Sequence, residues 1–212
     1  MVLFLHITSH VEEDQYQELF EAKGGDGFPY MAYLDSAGEV ISKFDRPYTV
    51  DTFSEALKKA ESFIAMVKKA EGGDKAAALE VLIGKLETGA IKADEAKKKL
   101  KDLPKPSAEQ EPRLNGALAN AEVQQILDEQ EAATAKKFME MLKAKRAPTD
   151  KEVGQTFYMA ILNYSEKEKD AAGFEAALNG LKAMFGDNPQ AKGFFDAKEK
   201  TLKKLKSEKD PK

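Results

Sequence analysis

The side chains that most often do chemistry are scarce in this chain. His6 and His10 are its only histidines, and it contains no cysteine. Without thiols it can form neither disulfides nor zinc–thiolate sites, and it offers no sulfur nucleophile. A His6–His10 metal pair would need carboxylates, for which Glu12 and Glu13 are nearest. The plainer reading places one histidine on a strand face and the other in a loop, with no metal bound. There is no Gly-rich phosphate loop and no Ser-His-Asp set, because both imidazoles lie at the N-terminal end. Carboxylate neighbours such as Glu12/Glu13 and Glu129/Glu131 occur, but 37 acidic residues produce such pairs by chance. The expectation is no catalytic residue, no cofactor and no metal.

The elements that would position any site change character along the chain. Residues 2–8 form a short β-rich run, and the next segment, to about residue 22, sets Tyr16, Leu19 and Phe20 on one helical face before Gly24 and Gly25. Phe28-Pro29-Tyr30 leads into a second β run over 31–34. Asp35–Gly38 reads as a hairpin turn, since Asp starts turns and Gly accepts positive φ. A third strand follows over 40–44, completing a β-α-β-β order.

Beyond about residue 50 the pattern is helical throughout. Thr52 with Glu55 reads as a capping box, followed by a stripe of Phe53, Leu57, Ala60, Ile64 and Val67. Asp74 caps a helix bearing Leu79, Leu82, Ile83 and Leu86 that stops at Gly89, and a shorter one carries Ala96, Leu100 and Leu103. Pro104 and Pro106 break the pattern, and Ser107 with Gln110 restarts it. Separate helices are then expected around Leu114 and Leu118, around Val123, Ile126 and Leu127, and around Phe138, Met141 and Leu142. Thr149 with Glu152 opens a helix bearing Phe157, Ile161 and Tyr164, and the next carries Phe174, Leu178, Leu181 and Phe185. Asn188-Pro189 starts the last, which buries Phe194 or Phe195 with Leu202 and Leu205. Short amphipathic helices joined by tight turns suggest stacked helical hairpins, and Ala77–Leu103 and Phe174–Leu205 each loosely resemble a tetratricopeptide unit.

The run Glu18-Leu-Phe-Glu-Ala-Lys-Gly-Gly-Asp-Gly-Phe-Pro-Tyr-Met-Ala-Tyr-Leu-Asp-Ser-Ala-Gly-Glu-Val-Ile resembles the second half of a thioredoxin-like domain. The resemblance implies that Pro29 takes the family's cis-proline position, that Asp35–Gly38 is its hairpin and that the helix from about residue 52 is its last element. Val2–Thr8 would be the strand before the second helix. The family's first strand and its Cys-x-x-Cys helix have no counterpart here. The chain could be a fragment or shortened relative of a larger thiol–disulfide oxidoreductase. Its strands could instead close over the gap, with residues 2–8 pairing directly with 29–34, or a second copy could fill the gap as a homodimer through the incomplete sheet. Direct closure is preferred. The fold expected is therefore α+β: a truncated thioredoxin-like β-α-β-β-α head over 1–70, followed by an all-helical, repeat-like domain over 71–212.

Two binding readings follow. The resemblance implies that the head holds an extended peptide, with the backbone of Phe28 in contact, Pro29 setting the geometry and Tyr30 lining the pocket. The alternative is a scaffold whose helical domain binds through a groove lined by Tyr158, Tyr164 and Met184. The partner in either case is a protein or peptide. A net charge of -4 argues against nucleic acid, and no apolar run is long enough for a membrane span. Val2–Leu5 lacks a basic segment before it, so no signal peptide is expected in this chain. The tail from Lys198 to Lys212 holds seven lysines and reads as a solvated helix end rather than an anion site.

Overall fold

The computed structural model describes residues 4–6, 16–25, 28–44, 47–128 and 133–209. It is mostly helical with one small antiparallel sheet, an α+β chain that divides into two compact units. The first comprises residues 1–91 with 98–105, and the second residues 92–97 with 106–212.

In the first unit, α1 (Leu19–Ala22) precedes β1 (Ala32–Leu34) and β2 (Val40–Lys43). The Phe28–Pro29 peptide is cis. Asp35 forms the hairpin turn: its Oδ1 accepts from the amides of Ala37 at 2.8 Å and Glu39 at 2.9 Å, and Gly38 sits at φ +80°. Tyr33 pairs with Ser42 and Leu34 with Val40, so Ile41 is the extra residue of a bulge. Val40, Ile41 and Ser42 are all buried in succession, which requires cover on both faces of β2. α2 (Val50–Glu71) and α3 (Lys75–Thr88) both pack on this strand and on each other.

The three-stranded closure expected at the N-terminus is not what the described residues form. Phe4, Leu5 and His6 lie in no strand, and the sheet has two strands. Residues 2, 3, 7 and 8, like His10, Glu12 and Glu13, lie outside the described residues. The boundary also differs from the one expected after residue 70. Leu79, Leu82, Ile83 and Leu86 of α3 are buried, and α3 packs on α2 and β2, so the first unit runs on to Ile91. α2 starts earlier than expected, because Thr49 rather than Thr52 is its cap. The Thr52 amide donates to Thr49 Oγ1 at 3.2 Å, and Thr52 Oγ1 accepts from the Thr49 amide at 2.9 Å. Its buried positions are Ala56 and Ala60, leaving Phe53 and Ile64 about 40% exposed.

The second unit contains the start of α4 (Ala93–Leu100), then α5 (Gln110–Asp128), α6 (Thr134–Lys143), α7 (Lys151–Lys167), α8 (Ala171–Phe185), a short 3-10 turn over Pro189–Ala191 and α9 (Lys192–Lys209). α5 is one helix where two were expected. Ser107 and Gln110 bond reciprocally at its start, and Pro112 follows in the opening turns. The cap of α7 is Asp150, not Thr149: its Oδ1 accepts from Glu152 and Val153, while the Thr149 amide donates to Asn120. The core joins Phe138, Phe157, Ile161, Leu162, Phe174 and Leu178, each at most 1% exposed. Three ion pairs stitch α9 onto α7 and α8: Lys198–Glu166 at 2.9 Å, Lys182–Glu199 at 2.5 Å and Lys206–Glu175 at 2.7 Å. The hydrogen bond from Lys182 holds the Glu199 carboxyl below its usual range. Elsewhere in this unit, nearly buried Glu122 accepts from Lys97 at 2.6 Å and from Arg146.

Ser165 is wholly enclosed, and its hydroxyl has no hydrogen-bond partner. A buried orphan hydroxyl costs on the order of 1 kcal/mol, so removing it offsets the small void left behind. Ser165→Ala is expected to leave stability unchanged or raise it by up to about 1 kcal/mol, read as the midpoint of urea unfolding.

Candidate functional site

Two clusters of aromatic residues stand in the first unit. In one, Tyr33, Phe44 and Phe53 meet with ring centroids 5.0, 5.6 and 5.2 Å apart. This is the structural cluster, because it joins β1, the end of β2 and α2. The Tyr33 hydroxyl is enclosed there without a partner. Burial, with a smaller contribution from the Glu61 carboxylate, raises the Tyr33 pKa above the ordinary phenol value of 10.0. The folded state therefore holds this proton longer than the unfolded chain. The resulting stability is intact below about pH 10 and is lost as pH rises toward the folded pKa. Tyr33→Phe is expected to flatten that alkaline loss, measured by denaturant midpoints between pH 8 and 11.

The other cluster is built around Phe28. Its ring stacks on Phe20 with centroids 4.6 Å apart and planes 14° apart, and Tyr30 meets Phe20 edge-on at 5.9 Å. Despite that stacking, Phe28 is 66% exposed. Two hydroxyls fix the segment from behind. Tyr30 donates to the Lys23 carbonyl at 2.5 Å, and Tyr48 donates to the Pro29 carbonyl at 2.7 Å. Gly25 lets the Phe20 ring lie over the backbone, since a Cβ there would meet the ring at 2.5 Å. Lys43 reaches in from β2, with its ammonium 5.8 Å from the Tyr30 ring centroid and 3.4 Å from the Gly24 carbonyl.

Phe28, Pro29 and Tyr30 are thus brought together with Phe20, Lys23, Lys43 and Tyr48, four residues that the sequence pattern did not assign to a site. Phe20 was legible only as part of a helix face. Nothing in the spacing of Lys43 or Tyr48 connects either to Pro29 before the chain folds.

The exposed apolar surface is concentrated in the same unit. Among the described residues, the large hydrophobics left exposed are Phe4, Leu5, Tyr16, Phe28, Leu34, Tyr48, Val50, Phe53 and Ile64. β1 adds an edge: on its far side from β2 it has no strand neighbour among the described residues.

Of the three residues that would line a groove in the second unit, Tyr158 and Met184 pack in its core. Tyr158 is 7% exposed, and a methyl at Gly180 would meet its ring at 2.2 Å. Met184 packs over Gly154 in the same core, and Tyr164 is half-buried with Lys136 6.0 Å from its ring centroid. Tyr158 and Met184 thus fill space between α7 and α8.

No group of three or more metal-ligating side chains comes together among the described residues, which include His6 but not His10. Glu129 and Glu131 lie outside them. No described helix is long and apolar enough to cross a membrane. The chain matches no protein-family model, no curated protein and no solved structure.

Proposed function

We propose that this chain is a non-catalytic protein- or peptide-binding module that acts through Phe28, Pro29 and Tyr30, on a head related to the thioredoxin-like fold. The observation that carries the reading is the 66% exposure of Phe28 beside a fixed backbone. An aromatic ring held by stacking, with its neighbours tied by Tyr30 and Tyr48, presents apolar surface at little entropic cost on binding. The open edge of β1 lies a few residues away in the chain, and an extended peptide can use such an edge while placing alternate side chains in apolar contacts. Thiol–disulfide exchange is outside its chemistry, since no cysteine is present.

A scaffold role for the helical unit has less support, because Tyr158 and Met184 are committed to its core. The test is a screen of extended peptides against the whole chain, repeated with Phe28→Ala and Pro29→Ala. Binders that lose affinity for both variants support the module; binders indifferent to both overturn it.

A further inference from the structure

Lys23 and Lys43 are both half-buried beside the Phe28 cluster, and neither has a carboxylate partner among the described residues. Two lysines at comparable depth in the second unit are paired, Lys198 with Glu166 and Lys182 with Glu199. Lys43 contacts the Gly24 carbonyl, and Lys23 immediately precedes that glycine while its own carbonyl accepts from Tyr30. The Lys23 ammonium lies 3.9 Å from where a Cβ on Gly38 would stand, beside the hairpin turn. Two ammonium groups with no carboxylate partner among the described residues therefore lie on the segments that carry an exposed, stacked aromatic ring. In the adjoining turn Asp35 Oδ1 accepts from the Ala37 and Glu39 amides and not from either lysine.

From this charge pattern we infer that the partner is an acidic extended segment, one that sets an apolar side chain against Phe28 and a carboxylate toward Lys23 and Lys43. This rests on the peptide-binding reading and adds the chemistry of the ligand. An apolar side chain gains contact with the stacked rings. A carboxylate gains two ammonium partners, of which Lys43 now meets the Gly24 carbonyl and the Tyr30 ring face. A basic segment is rejected by like charge.

The experiment is selection of random seven-residue peptides on the immobilised full chain, with parallel selections on Lys23→Glu/Lys43→Glu and on Phe28→Ala. The expected winners combine Asp or Glu with Leu, Val or Phe and bind the double variant about tenfold more weakly, the worth of two partly exposed ion pairs. Raising salt from 50 to 500 mM weakens the same peptides. Winners without acidic bias that bind the double variant equally, yet fail on Phe28→Ala, overturn the acidic-partner inference and leave the site standing. Winners indifferent to all three substitutions, or no enrichment at all, overturn both. Far-ultraviolet circular dichroism of each variant separates lost binding from lost folding.

Discussion

Phe28→Ala is expected to weaken peptide binding by roughly 30-fold or more while changing unfolding stability by less than about 1 kcal/mol. The two numbers come from different surfaces of one ring. Its free surface, about two-thirds of the residue, contributes little to folding, because exposed apolar area is exposed in the unfolded chain as well. The covered part is the stack on Phe20, whose loss is a modest aromatic-pair term. Binding is different, because a partner would enclose the exposed part, and aromatic anchors at the centre of a contact dominate its energy. A fluorescence-anisotropy titration with a selected peptide reads the first number, and urea unfolding reads the second. A large stability loss with unchanged affinity would mean that Phe28 is part of the core.

Phe157→Ala should behave in the opposite sense. The ring is fully buried and touches Phe138 at a centroid distance of 5.0 Å and Tyr158 at 5.0 Å. Truncating a buried phenylalanine costs about 3–5 kcal/mol, combining lost transfer energy with the cavity left behind. That is a large fraction of the stability of a small domain. Tyr158 cannot collapse into the space without leaving its place against Gly180, and Phe138 is held from α6, so the cost should sit high in this range. Thermal unfolding followed by calorimetry measures it, and a loss under about 1 kcal/mol would show that the second core is far looser than its packing indicates.

How much of this was legible beforehand depends on whether a feature is local. The hairpin turn is written in Asp35 and Gly38, and the cap of α3 in Asp74, because one side chain satisfies amides two or three residues away. Caps are ambiguous where two candidates stand close together. Thr49 and Thr52 satisfy the same spacing rule, and only the folded Pro47 carbonyl, which accepts from Thr52 Oγ1 at 2.8 Å, settles the geometry. The domain boundary was not legible at all. An amphipathic helix such as α3 has the same pattern whichever partner it packs on, so its place beside β2 had to come from tertiary contact.

The same limit governs the candidate site. Phe28-Pro29-Tyr30 stands out in the chain, but Lys43 and Tyr48 join it across 14 and 19 residues, between Pro29 and each, and by no repeating pattern. The aromatic residues of α7 are ambiguous in the other direction. Tyr158 has the spacing of a surface stripe only until Gly180 is seen to leave room for its ring.

The most direct measurement is an amide chemical-shift titration of the isotope-labelled full chain with a selected acidic–apolar peptide. The account predicts shifts confined to residues 20–25, 28–34, 40–44 and 48, saturating together at one dissociation constant and absent with Phe28→Ala. Shifts centred on α7, α8 and α9, or unchanged in Phe28→Ala, would contradict it and place binding on the helical unit instead.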